Sequence, residues 1–238
     1  SVLISFAHGD TRCQGCHSDQ HQQWQQSDHA QSMAIANEAN VLADFNDSEI
    51  SHHGVTARFF RNQENFVVSL TENDSTSSYV IAYTFGHFPL QQYLVATEGG
   101  RYQVIPFSWD SRKASEGGQR WYPNYQEDYI SENDRLHWTQ PLQNWNGMCA
   151  DCHSDGLTRN FDLRNNEFNT TWDNINVGCQ SCHGDQSDHA EIEANRTSRS
   201  DPIRDSTSDI QWVMTQHRTV AKLLNTDGEP ASTTQVDD

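Results

Sequence analysis

Each of the six cysteines of this chain stands in the same five-residue pattern. Cys13 and Cys16 precede His17 in CQGCH, Cys149 and Cys152 precede His153 in CADCH, and Cys179 and Cys182 precede His183 in CQSCH. Two thiols about one helical turn apart reach the two vinyl groups of one porphyrin and become thioethers, and the next imidazole then meets the iron as proximal ligand. The pattern therefore predicts three covalently attached haem c groups. A zinc reading can draw four thiolates from Cys149, Cys152, Cys179 and Cys182. It leaves Cys13 and Cys16 without partners and gives no reason for a histidine behind every pair. A redox dithiol expects one motif rather than three, and a disulfide across two residues is strained.

The rest of the composition agrees with a chain organised by cofactors. Of 238 residues only 34% are hydrophobic and mean hydropathy is −0.84, a small supply for a large core. Three porphyrins would add apolar surface, so the apo form is expected to fold poorly. Seven Trp, seven Tyr and ten Phe argue against disorder. A net charge of −18 disfavours nucleic acid and anionic membranes; it reads as a solvated acidic surface tuned for solubility, and it also suits docking on a redox partner protein with a basic patch. No run of 18 apolar residues is present, so no membrane span is expected.

The expected fold is α+β: a mostly helical, loop-rich multihaem cytochrome with an antiparallel β meander inserted between the first and second pentads. It forms a single domain over 1–238. Residues 1–54 carry the first pentad, and 18–39 read as helix, with Ser27 or Asp28 capping a second helical segment. Residues 55–109 hold the short β-rich runs VTARFF, NFVVSL, SYVIAYTF, LQQYLVA and RYQVIPFSW, separated by turn residues. Residues 110–190 carry a loop-like stretch and then the second and third pentads on short helices. Residues 191–238 form a polar linker and an amphipathic helix over 208–225.

Nine histidines remain for at most three distal positions, so most of them serve elsewhere. His29, in SDHAQSM, is the first candidate. His137 among aromatics in RLHWTQPLQNW, His189 six residues past His183, and His87 at the FGHFP turn are further candidates. His52 and His53 read as solvated loop residues. Met33, Met148 and Met214 read better as core than as axial ligands.

CQGCHSDQHQQWQQSDHAQSM resembles the first haem segment of multihaem cytochromes related to cytochrome c554 and hydroxylamine oxidoreductase. GGRYQVIPFSWDSR, LHWTQPLQNWNGMCADCHSDGLTRNFD and TTWDNINVGCQSCHGDQSDHA are similar to the N-terminal cytochrome region of larger bacterial multihaem proteins, some with tetratricopeptide repeats. The resemblance runs from about 10 to 190. It implies a bacterial protein of the periplasm, or a secreted one, and the possibility of a place within a larger multihaem polypeptide. It also implies that His29 closes the iron held by His183, that the position of His189 serves a fourth haem, and that the second haem lacks a distal ligand. This chain has no fourth pentad, which leaves His189 to another haem, to solvent or to a portion not present. His87 stands where the relatives carry an apolar or aromatic residue and reads as an added ligand.

The function expected is electron transfer by a trihaem cytochrome. The alternatives are an oxidoreductase for a small nitrogen or sulfur compound at one open iron, with His137, Arg135 or the Gln119–Arg120 pair as proton donors, and a gas-binding module.

Overall fold

Strand, not helix, carries this chain. The computed structural model describes residues 9–184 and 186–195. Within them lie β1 (Met33–Ile35), β2 (Ser48–His52), β3 (Val55–Asn62), β4 (Asn65–Glu72), β5 (Ser75–Phe85), β6 (Leu90–Thr97), β7 (Arg101–Val104), β8 (Phe107–Asp110) and β9 (Arg120–Pro123). All pair antiparallel in one sheet of order β2-β3-β4-β5-β6-β8-β9, with β1 beside β5 and β7 beside β6. A small hairpin, β10 (Phe161–Asp162) with β11 (Glu167–Phe168), lies apart.

Two-residue hairpins connect the early strands, and their backbone matches the strand twist. His53 and Gly54 between β2 and β3, and Asn73 and Asp74 between β4 and β5, have positive φ at both positions. His53 is thus a hairpin-turn residue, whereas His52 ends strand β2 and places its Nε2 3.1 Å from the Tyr125 carbonyl. The sheet curls until its ends meet: the Trp121 indole on β9 donates to the Asp44 carbonyl (3.0 Å) and to Ser48 Oγ on β2 (3.1 Å). The result is a nearly closed barrel. Its interior is aromatic. Phe59 stacks on Trp121 at 3.5 Å between ring centres, and Phe45 meets Phe66 edge-on at 5.0 Å.

The expectation of a mostly helical molecule is therefore wrong, and the sheet is the frame rather than an insert. It reaches beyond 55–109 to take in β1, β2 and β9. The helices are α1 (Gly9–Gln14), α2 (Ser18–Gln25), α3 (Trp145–Met148), α4 (Ala150–His153), α5 (Gln180–His183) and α6 (Ser187–Ala194). α4 and α5 are single turns, each carrying the second cysteine and the histidine of a pentad. The second helical segment expected after Ser27 is absent. Ser27 Oγ donates back to the Trp24 carbonyl (2.6 Å) and closes the end of α2, and Met33–Ile35 is captured as a strand by β5. The helix expected over 208–225 lies outside the described residues.

One irregularity positions the site. Along β5 the ladder shifts by one residue between Ile81, opposite Val95, and Tyr83, opposite Leu94. A bulge of this kind turns the following side chains to the other face. Ile81 belongs to the barrel interior with Tyr93 and Val95, whereas Tyr83 and Phe85 join Met33, Leu94, Val104, Trp145, Ala150 and Cys149 on the outer face. The middle pentad docks there.

Two buried asparagines hold that pentad to β7. Asn146 accepts from the Tyr102 N–H (2.8 Å) and donates to Thr170 Oγ1 (2.9 Å) and to the Gly100 carbonyl (3.2 Å). Asn144 caps α3 through the Gly147 N–H (2.9 Å). Asn146→Leu leaves a buried backbone donor unpaired, so urea unfolding should show a loss of about 2–3 kcal/mol. A change under half a kilocalorie would mean that water replaces the side chain.

Candidate haem site

The three pentads share one local geometry. In each, the N–H of the second cysteine bonds the carbonyl of the first, at 3.2 Å for Cys16–Cys13, 3.1 Å for Cys152–Cys149 and 3.3 Å for Cys182–Cys179. Residues three and four apart on such a turn share a face. Both thiols and the following imidazole are thus presented together three times.

Long-range ties bring the first and third pentads to one place. The Trp24 indole donates to the Val177 carbonyl (2.8 Å), Asn176 Nδ2 to the Ala30 carbonyl (2.9 Å), and the Val177 N–H to Ser32 Oγ (3.2 Å). Between the joined segments lies a cavity of about 380 Å³, whose wall includes His17, His21, His29, Cys179, His183 and His189. Arg12, also in that wall, donates to Ser187 Oγ (3.1 Å) at the start of α6. The buried imidazole of His21 packs on Trp24 with ring centres 5.4 Å apart. It was not among the candidates above, although its place four residues after His17 puts it one turn along α2.

The middle pentad sits apart, against the sheet. The Phe85 ring lies 4.4 Å from the His153 ring, centre to centre. Burial pushes the Cys149 thiol above its ordinary range and the His153 imidazole below its own, which keeps that ring in the neutral, ligating form. His153 Nδ1 is buried without a hydrogen-bond partner.

The remaining candidates are scattered. His137 is buried at one end of the barrel, with Nδ1 2.9 Å from Thr139 Oγ1 and Nε2 3.2 Å from the Glu72 carboxylate. The small pocket it lines contains no cysteine. His87 Nε2 stands 3.6 Å from Asp28, in the turn that carries His29. Met33 is core: its sulfur accepts from the Trp145 indole at 3.0 Å. Met148 is exposed.

Thiol pairs and imidazoles around an apolar-walled cavity, together with a neutral, half-buried histidine behind a third pair, fit haem c and its axial ligation. No helix among the described residues is long and apolar enough to cross a membrane. The chain is a c-type cytochrome, a protein that moves electrons through haem c. A sequence model for cytochrome c554 and c-prime matches residues 12–67 and 107–184, and the chain belongs to that family. No curated protein and no solved structure matches it. The stretch between the matched segments includes β5 and β6, the strands that carry the bulge and the Phe85 contact.

Proposed function

We propose that the chain is a trihaem electron carrier of the bacterial periplasm. Cys13, Cys16, Cys149, Cys152, Cys179 and Cys182 hold three porphyrins, and His17, His153 and His183 are the proximal ligands. Haem supplies a one-electron iron couple whose potential follows axial ligation, hydrogen bonding and burial. The protein's part is to hold two such groups side by side and to exclude water from them. The observation that supports this reading best is the single cavity walled by both His17 and His183. Porphyrins anchored at both of these pentads would stand close enough to exchange electrons without a diffusing intermediate. His29, on the same wall, closes the iron held by His183. The charge of −18 suits a partner that presents a basic patch.

Mass measurement of the denatured, purified protein counts the attached groups directly. Three haems are expected in the wild type and one in Cys152→Ala/Cys182→Ala. Three haems persisting in that variant would overturn the anchors. Association with a basic redox partner should slow steeply as salt rises from 0.05 to about 0.5 M, because exposed charges are screened beyond about 10 Å at 0.1 M. A rate indifferent to salt would remove the basic-patch argument.

A further inference from the structure

We infer that His189 is the distal ligand of the iron held by His17, so that an imidazole from the third pentad's segment closes the haem of the first. The inference rests on the reading of each pentad as a haem anchor. It goes beyond that reading in assigning one ligand to one iron.

The His17 and His189 rings stand 6.4 Å apart, centre to centre, with planes 29° apart. Two imidazoles bound trans to one metal at about 2.0–2.1 Å each, with each ring centre about 1.1 Å behind its nitrogen, stand about 6.3 Å apart. Ring planes in that arrangement share the ligand axis and are free to lie nearly parallel. Both rings line the same cavity. An offset imidazole stack gives a similar separation, and the experiment below separates the two.

The fold supplies the reach. α6 (Ser187–Ala194) begins directly behind the third pentad, and its first residue is tied to Arg12 on α1, one residue before Cys13. That contact places the start of α6 beside the first pentad. His189, in the first turn of α6, is half-buried there. The other imidazoles of the wall are less well placed for the task. His21 follows His17 by one helical turn and packs on Trp24. His29 belongs to the 27–32 turn, fastened to Val177 and Asn176 next to the third pentad. The segments thus exchange ligands: each supplies the anchor of one haem and the distal imidazole of the other.

The test uses the full holoprotein carrying His189→Ala, and reads covalent haem by mass, carbon monoxide bound per reduced chain by titration, and the electron paramagnetic resonance spectrum of the oxidised form. The expected result is an unchanged haem count, one additional carbon monoxide site per chain, and replacement of one low-spin signal by a high-spin signal. Added imidazole should restore the low-spin signal. A second variant, His17→Met, identifies the iron, because the signal it displaces should be the one that His189→Ala removes. Should His189→Ala fail to accumulate, His189→Met keeps a ligand and bulk; it should leave that haem low-spin and raise its potential. Three haems with no new carbon monoxide site in His189→Ala, an unmoved potential in His189→Met, or different signals displaced by His17→Met and His189→Ala would each overturn the assignment while leaving the haem anchors intact. Fewer than three haems in the wild type would instead overturn the anchors themselves.

Discussion

Insertion of one alanine between Tyr83 and Thr84 is expected to abolish the holoprotein. Past the bulge, Tyr83 and Phe85 face the middle pentad while Thr84 is buried on the opposite face. An extra residue after Tyr83 exchanges the faces of Thr84 and Phe85, because side chains alternate with period two. Either Phe85 enters an interior already filled by Phe45, Phe59, Tyr93 and Trp121, or β5 slips and loses its register with both β1 and β6. Overpacking on that scale, or losing two ladders, costs more than about 4 kcal/mol, against a total stability of about 5–15 kcal/mol. Deletion of Ala82 is the control. It joins Ile81 to Tyr83, which then face opposite sides as neighbours in a regular ladder, and the Ala36 N–H loses its acceptor, the Ala82 carbonyl (3.1 Å). That variant should fold and load haem with a loss of about 1–3 kcal/mol. Soluble yield, covalent haem and thermal unfolding of the two variants decide the matter. A folded, haem-loaded insertion variant would show that β5 slips without penalty and that its register does not set the faces.

The second large effect concerns the protein made without haem attachment. The barrel has its own aromatic core and should survive. The walls of the cavity between the first and third pentads should not. Within α2 only His21 is buried, and α5 and α6 have no buried residue. A void of about 380 Å³ would cost up to about 9 kcal/mol at ~24 cal/mol per Å³, less whatever entering water returns. The N-terminal segment and the 178–195 segment have no packing to meet that cost, so they let go. Hydrogen exchange on the apo protein should show protected amides through β3–β6 and fast exchange over 12–32 and 178–195, with protection restored in the holoprotein. Uniform loss of protection would mean that the barrel depends on haem; uniform retention would mean that the cavity is held by protein alone. The poor folding of the apo form expected from composition is thus expected of one part of the chain only.

Those two expectations also mark what could be read in the sequence. The haem c reading was legible because covalent attachment demands fixed residues at fixed spacing, and the family match supports haem c. The runs VTARFF, NFVVSL and SYVIAYTF were legible as strands because their β-branched and aromatic residues sit between turn formers, and they become β3, β4 and the later part of β5. What escaped was non-local. Met33–Ile35 looked helical in its own neighbourhood and is a strand because Phe85–Tyr83 pairs with it. Barrel closure depends on a Trp121–Asp44 contact that no local pattern announces. His137 drew attention through its aromatic neighbours, yet its ring nitrogens are taken up by Thr139 and Glu72. The pairing of the first pentad with the third rests on a few hydrogen bonds across some 150 residues, such as Trp24 to Val177.

That last separation has a consequence for how the molecule is made. Residues 12–29 emerge first, but the wall that covers them is supplied by residues 177–190. At about 5–20 residues per second, on the order of ten seconds of synthesis pass between them. Any machinery that joins haem to Cys13 and Cys16 during that interval meets an open strip of chain. The first site is written earliest and sealed last, so a chain that stalls before residue 177 carries a first pentad ready for modification with nothing to shelter it.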